Sequence, residues 1–150
     1  MRLSAIVLAA ALLTASCDHF GGIDAYSSLT ELPEVGCIPR ALSSIDGVRG
    51  VQHRRTEWRT APSEIARGAS QMTVAETWSY RVGNLEPRIQ IYDAGNSFSF
   101  NNGIGLTAGA VSDERIAAYR PLIEQVNEHV ASACGLDLSG ISVIEYRQRR

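Results

Sequence analysis

The side chains best suited to binding an anion are concentrated in two arginine-rich stretches. One covers residues 54–59, with the sequence RRTEWR, and the other lies at the C-terminus and includes Arg147. Guanidinium groups beside a tryptophan can hold an anion by ion pairing and can stack on the ring. If the two stretches are neighbouring strands, Arg55, Arg59 and Arg147 share one face and form a weak, salt-dependent anion site. The competing interpretation is a solvated strand face with Trp58 in the core.

Other residue types that commonly carry chemistry form no recognisable motif. Residues 103–109 are rich in glycine, but no β-α-β unit frames them as a phosphate-binding loop. His53 and His129 are isolated and have no second metal ligand at helical spacing. No serine occurs in a G-x-S-x-G motif, and the pair Glu124 and Glu128 is typical of an exposed helix face. We therefore predict no metal, no cofactor and no local catalytic motif, although a dispersed active site would leave no such signature.

The first sixteen residues have the three parts of a secretory signal. Arg2 supplies a positive charge, residues 5–13 form a short apolar run, and residues 14–16 are small. This run is much shorter than the roughly 20 apolar residues that a membrane-spanning helix needs. We therefore interpret residues 1–16 as a signal peptide that is removed on export.

The small residues that end in Cys17 resemble the lipobox of bacterial lipoproteins. A lipobox usually has Leu three residues before the cysteine, whereas this chain has Thr14 there and Leu13 one step earlier. The resemblance covers residues 1–17 and implies that Cys17 is acylated and becomes the first residue of the mature protein. It also implies a bacterial cell-envelope protein that is anchored to a membrane and faces the periplasm. The alternative is ordinary cleavage after Ser16, which leaves Cys17 as a free thiol.

With Cys17 assigned to lipid, Cys37 and Cys134 are candidates for a disulfide. An even pair of cysteines in an oxidising compartment is typically bonded. In the chain-entropy model, closing a loop of about 100 residues stabilises a fold by up to ~4.7 kcal/mol. Two buried free thiols are the alternative.

The composition gives no reason to expect nucleic acid as a partner. Removal of 16 of the 150 residues leaves 134, enough for one domain with its own core and too few for two. The remaining 13 arginines are outnumbered by 16 acidic residues, and the chain contains no lysine. Every cationic side chain other than histidine is therefore a guanidinium, which can bind a carboxylate or a phosphate through two parallel hydrogen bonds.

The start of the mature chain is predicted to be flexible. Residues 17–36 show no sustained hydrophobic period and are rich in glycine, serine, proline and acidic residues, as in a lipidated N-terminus and tether. A single domain then covers residues 37–150. Its first helix is predicted over residues 38–45, where apolar residues follow helical spacing, Pro39 is early and Gly47 follows.

The middle of the domain is predicted to be a run of antiparallel strands joined by short turns. The predicted strands cover residues 51–59, 73–82, 88–92 and 97–100, with a short strand over 104–107 behind a hairpin turn at residues 101–103. The connection at residues 61–70 includes one helical turn capped by Ser63. A final strand is predicted over residues 141–147.

The longest helix is predicted to begin at Ser112, a suitable N-cap, and to end at Gly135. Pro121 is expected to kink or split it. The order α-β-β-β-β-α-β predicts an α+β domain with about five antiparallel strands and two helices packed on one face. Antiparallel helices would bring Cys37 and Cys134 together.

These features favour a binding or protein-interaction role for a lipid-tethered accessory protein of the envelope. We expect the protein to contact the membrane through lipid at Cys17 and to bind an envelope protein or an anionic ligand. The first alternative is an inhibitor or immunity-type protein that blocks a partner enzyme. The second alternative is a hydrolase with a dispersed active site.

Overall fold

A computed structural model of the protein describes residues 20–95, 97–106 and 112–148. The strands and helices in these ranges are β1 Phe20–Leu29, α1 Cys37–Ser43, β2 Val48–Arg59, α2 Pro62–Ile65, β3 Met72–Val82, β4 Arg88–Asp93, β5 Phe98–Leu106, α3 Asp113–Ala117, α4 Arg120–Cys134 and β6 Ser142–Gln148.

All six of these strands belong to one antiparallel sheet with the order β2-β3-β4-β5-β1-β6. Strands β2 to β5 form a meander, and β1 is inserted between β5 and β6. The predicted α+β class and antiparallel sheet are therefore confirmed. The predicted strand number and order differ from those observed, because β1 is an additional strand at the start of the domain.

The predicted tether is wrong from Phe20 onward, because β1 lies inside the sheet. It pairs with β5 on one side and with β6 on the other, and Ile23, Ala25 and Leu29 are buried. These three residues follow a strand period, but the glycines before Ile23 and the serines before Leu29 conceal it in the sequence. The folded domain therefore begins before Cys37.

The predicted hairpin turn at residues 101–103 is also wrong, because β5 continues through them. Asn102 is buried, and its side chain accepts a hydrogen bond from the Tyr80 hydroxyl (3.0 Å) and donates one to Asn127 Oδ1 (2.7 Å). Asn-Asn-Gly favours a turn in a short isolated segment. Pairing of β5 with β1 and β4 along its length overrides that preference.

The side chains of Tyr80, Asn102 and Asn127 form a buried polar chain that joins β3, β5 and α4. Burial raises the pKa of the Tyr80 hydroxyl well above its ordinary value, so the hydroxyl stays protonated and donates to Asn102. A buried amide left without a partner costs about 1–3 kcal/mol. These hydrogen bonds therefore favour one position of α4 on the sheet.

The larger helices pack on one face of the sheet, which we call the helix face. α1 and α4 cover a cluster of buried residues around Trp78 and Phe100. α3 and the first turns of α4 cover a second cluster around Ile23 and Ile104. None of the helices in the described ranges is long and apolar enough to span a bilayer.

The predicted disulfide between Cys37 and Cys134 is confirmed, with their Cα atoms 5.7 Å apart. It joins the first residue of α1 to the last residue of α4. At the other end of α1, Ser44 Oγ lies 2.8 Å from His129 Nε2 of α4. The two contacts proceed in opposite directions along the helices, so α1 and α4 are antiparallel, as the predicted disulfide required.

The predicted ends of the long helix are also confirmed. The Ser112 side chain caps α3 by accepting a hydrogen bond from the backbone N–H of Arg115 at 3.1 Å. The helix is split into α3 and α4 just before Pro121, whose ring nitrogen has no hydrogen to donate. Gly135 ends α4 with a φ of +65°, in the left-handed region that glycine adopts without strain.

Candidate binding surface on the open face of the sheet

The face of the sheet opposite the helix face is accessible to solvent over most of its area, and we call it the open face. Register across the strands identifies its residues, which alternate with the buried core positions. The residues that concern us are Arg54 and Trp58 on β2, Arg81 on β3, Arg88, Gln90 and Tyr92 on β4, Asn101, Gly103 and Gly105 on β5, Gly22, Asp24 and Tyr26 on β1, and Tyr146 on β6.

Four aromatic side chains form a diagonal row across the open face, which we call the aromatic row. In order across the sheet, they are Trp58, Tyr92, Tyr26 and Tyr146. From one member to the next, the row also shifts parallel to the strands, always toward the same end of the sheet. Because adjacent strands are about 4.8 Å apart, the row crosses roughly 24 Å of sheet, from the β2 edge to the β6 edge.

At the β2 edge, the first two members of the aromatic row contact each other. The ring centroids of Trp58 and Tyr92 are 6.1 Å apart and the ring planes are inclined by 57°. Aromatic pairs favour such tilted arrangements. The Trp58 side chain is 40% exposed, so Trp58 is not a core residue.

Near the other edge, Asp24 lies between the remaining two members of the row. The Tyr26 hydroxyl donates a hydrogen bond to Asp24 Oδ2 at 3.1 Å. Burial, the negative charge of Asp24 and that hydrogen bond raise the pKa of Tyr26. Burial, the same charge, neighbouring Tyr26 and a hydrogen bond to Asp24 raise the pKa of Tyr146 to about 12. Both hydroxyls therefore remain protonated at neutral pH and can donate to the carboxylate.

Two glycines allow these side chains to lie against the backbone. A β-carbon at residue 103 would overlap the carboxylate of Asp24, and one at residue 22 would be 2.6 Å from the Tyr146 hydroxyl oxygen. Gly22 is the register partner of Tyr146, so the Tyr146 ring extends sideways over β1. The Tyr26 ring is held along its own strand by Asp24. Both side chains therefore lie along the sheet and do not project from it.

Arginines on β2, β3 and β4 bring positive charge to the open face. Asp24 is the single carboxylate among the open-face positions of the described strands. Arg81 is paired with Glu86 at 2.7 Å. Arg54 and Arg88 are exposed, and neither makes an ion pair with another residue that the structure describes. Two guanidinium groups are therefore available beside the aromatic row.

The predicted anion site of Arg55, Arg59 and Arg147 is not formed as one patch. Strands β2 and β6 are opposite edges of the sheet with four strands between them, so the expected pairing of the C-terminal strand with β2 is wrong. The insertion of β1 between β5 and β6 separates the C-terminal strand from the meander. Arg55 and Arg59 lie on the helix face of β2, in register with Glu76 and Met72 of β3.

Arg55 takes part in ion pairs within the sheet. Its guanidinium nitrogens are 3.3 Å from Glu76 Oε1 and 3.5 Å from Glu57 Oε1. Glu76 Oε2 is also 2.6 Å from His53 Nε2, and the His53 ring stacks on Trp78 at a centroid distance of 5.2 Å. These contacts hold β2 against β3 and give Arg55 and His53 structural roles.

A cleft of about 210 Å³ lies on the helix face. The ion pair between Arg55 and Glu76 forms one side of it. Its lining is mainly apolar, and exposed Leu32 and Met72 lie at its surface. Its arginine, Arg55, is already paired with Glu76, and its lining contains no tyrosine, so the cleft is a suitable position for control substitutions.

Asp24 and Tyr26 fall in the predicted tether, so neither was predicted to be a site residue. One signal was available, since both residues alternate with apolar Ile23 and Ala25 as exposed and buried positions of a strand do. Tyr146 was recognised as part of a strand, but its partner Asp24 lies on another strand. No local pattern reveals such a pairing.

Some of the predicted features lie outside the described residues. Cys17 precedes the described ranges, so its lipidation stays a prediction. The glycine-rich stretch belongs to β5 as far as Leu106, and its remainder lies outside the described residues. Within the described ranges, no group of three or more histidine, cysteine or acidic side chains could hold a metal ion.

No protein-family model matches the sequence, and no curated protein is similar enough to it to be counted as a relative. The function is therefore inferred from the residues of this chain alone.

Proposed function

We propose that this protein is a lipid-anchored protein of the bacterial cell envelope that binds a partner through the open face of its sheet. The anchor at Cys17 and the compartment are supported by the resemblance of residues 1–17 to a lipoprotein signal. The binding role is supported by one observation above all, the exposure of the aromatic row on a sheet face with unpaired arginines.

Residue type favours a binding surface over an ordinary solvated sheet. Trp58 and Tyr26 are each 40% exposed, and their rings keep apolar area in water that a partner would cover. Tryptophan, tyrosine and arginine are also the residues that most often carry the binding energy of an interface. Polar groups such as Asn101 and Gln90 lie among the rings and can hydrogen-bond to a ligand.

The two alternative functions differ in how this surface would be used. An inhibitor would use the same face, with an enzyme as its partner. A glycoside hydrolase usually needs two carboxylates around the bond that is cleaved. Asp24 has no second carboxylate beside it on the open face of the described strands, so binding is better supported there than glycoside hydrolysis.

Photo-crosslinking in living cells tests the proposal. A photoreactive residue is placed in the full-length chain at Ser28 on the open face, at Leu32 in the cleft, or at Arg115 of α3. We expect an adduct from position 28 and none from position 115. An adduct from position 32 alone would instead locate the binding site in the cleft and contradict the proposal.

A second comparison asks whether the aromatic row carries the binding. Combining Trp58→Ala with Tyr26→Ala should abolish the adduct at position 28. Met72→Ala, which removes an exposed apolar side chain at the cleft, should leave it intact. An adduct that survives the loss of both rings would show that the row is not the binding surface.

A further inference from the structure

We infer that the ligand of the open face is a linear glycan that carries anionic groups. The inference rests on the proposed binding function of the same face and adds the chemistry of the ligand. Ring orientation, the length of the aromatic row and the unpaired arginines each contribute to it.

Ring orientation favours a ligand with flat apolar faces. A pyranose ring has such a face, made of C–H bonds, and it stacks on an aromatic ring that lies along a surface. The anchor residues of protein interfaces instead project and fill pockets of the partner. Tyr26 is held down by its bond to Asp24, and Tyr146 leans over Gly22, so neither ring projects.

The length and openness of the row favour a polymer. Trp58 and Tyr92 contact each other near the β2 edge, whereas Tyr26 and Tyr146 lie on the two strands at the other edge, so the aromatic surfaces are distributed over roughly 24 Å of sheet. A surface of that length matches a chain of linked rings better than one small molecule. The row also reaches both edges of the sheet, where a polymer can continue beyond the protein.

The polar side chains near the row suit sugar hydroxyl groups. Tyr26 is in register with Asn101, which is in register with Gln90. Both amides can donate and accept, as vicinal hydroxyls require. Asp24 can accept from a ligand hydroxyl as well as from the tyrosines, because a carboxylate has about four acceptor positions.

Charge specifies an anionic glycan. Arg54 lies across the sheet in the same register row as Tyr26, and Arg88 is on the same strand as Tyr92. A guanidinium binds carboxylate, sulfate or phosphate oxygens through paired hydrogen bonds. With Asp24 as the single opposing charge among the open-face strand positions described, a neutral glycan would leave both arginines unused.

Direct binding measurements test the inference with the full-length protein in detergent micelles. The probes are alginate and polygalacturonate, which carry carboxylates, and a phosphomannan, which carries phosphates. Methyl-esterified polygalacturonate is the neutral match, and poly-glutamate is an anion without sugar rings. We expect binding to at least one charged glycan, and salt should weaken it. The affinity for the ester and for poly-glutamate should be at least roughly tenfold lower.

Variants then separate stacking from charge. Trp58→Ala or Tyr26→Ala should each weaken glycan binding roughly tenfold, the scale known for a ring that stacks on a nucleic-acid base. Tyr26→Phe, which keeps the ring but loses the bond to Asp24 that holds it down, should weaken binding less than Tyr26→Ala does. Arg88→Gln should weaken binding and reduce its salt dependence, whereas Arg115→Gln and Met72→Ala should change neither. Unaltered thermal midpoints confirm that each variant is folded.

The outcomes distinguish failure of the inference from failure of the proposed function. Equal binding of poly-glutamate, or equal binding of the neutral ester, would overturn the anionic-glycan inference. So would the absence of binding to all three charged glycans. If the adduct at Ser28 then persists and mass spectrometry finds peptides of a second protein in it, the partner is a protein and the proposed function stands. If no adduct forms at Ser28, the proposed function fails as well.

Discussion

The carboxylate of Asp24 occupies the space above Gly103 where any other residue would place its β-carbon. The two residues are register partners on β1 and β5. Gly103 therefore serves a contact between strands, although its local sequence is typical of a turn. The same relationship recurs on the other side of β1, where the Tyr146 ring lies over Gly22.

Alanine substitutions at the glycines should differ in a fixed order. Gly22→Ala should destabilise the protein most, by about 1–3 kcal/mol, because its β-carbon meets the backbone oxygen of Ile104, which cannot rotate away. Gly103→Ala should cost less, since the Asp24 side chain can move, but it should weaken ligand binding. Gly140→Ala is the control, with open space around its β-carbon. Urea denaturation measures all three, and equal stabilities would contradict the packing described.

Asn127→Ala should destabilise the protein by about 1–3 kcal/mol, because it leaves the buried Asn102 amide without its acceptor. Gln125→Ala, at an exposed position of the same helix, is the matched control and should change stability by less than about 0.5 kcal/mol. Chemical denaturation of the two variants provides the comparison. Similar values would show that the Tyr80–Asn102–Asn127 chain does not contribute to stability.

Reduction of the Cys37–Cys134 disulfide should lower the thermal midpoint substantially. The bond spans 97 residues, and the chain-entropy model gives up to ~4.7 kcal/mol for a loop of about this size. Such a loss is a large fraction of a typical stability of about 5–15 kcal/mol. Calorimetry with and without reductant measures it, and the Cys37→Ser, Cys134→Ser double variant, which has no bond to reduce, is the control. An unchanged midpoint on reduction of the native protein would contradict the prediction.

Alkaline pH should weaken the fold before all tyrosines have ionised. The pKa of Tyr146 is raised from the ordinary 10.0 to about 12 in the folded protein. Its contribution to stability is therefore complete below pH 10 and is lost as the pH rises from 10 to 12. Ultraviolet titration should show late ionisation of this tyrosine, and Tyr146→Phe should remove that step. Ionisation of all five tyrosines in one step near pH 10, with the protein still folded, would be inconsistent with the buried hydroxyls.

Cys17→Ser should abolish incorporation of labelled palmitate and release the protein from membranes. The reason is that a serine at this position cannot form the thioether through which a lipoprotein is anchored. Ser16→Ala keeps a small residue before the cysteine and should preserve labelling. Labelling that persists in Cys17→Ser would refute the lipid anchor.

Local signals in the sequence determined several features by themselves. Ser112 as a cap, Pro121 as a break and Gly135 as a stop each depend on backbone groups within one helical turn. Their outcomes therefore follow from residue type. The disulfide was predictable from cysteine parity, because Cys37 and Cys134 were the pair left after assignment of Cys17.

The tertiary structure alone decided the strand order and the candidate site. β1 has glycine or serine at four of its ten positions, and its place in the sheet is set by pairing with β5 and β6 on both sides rather than by its own propensity. Its insertion moves Arg147 away from Arg55 and brings Asp24 beside Tyr146. Pairing between distant strands depends on the total free energy of many contacts, which no short stretch of sequence contains. For that reason, the sequence indicated most of the strands but missed β1, and it did not show which strands are neighbours or which side chains meet on the open face.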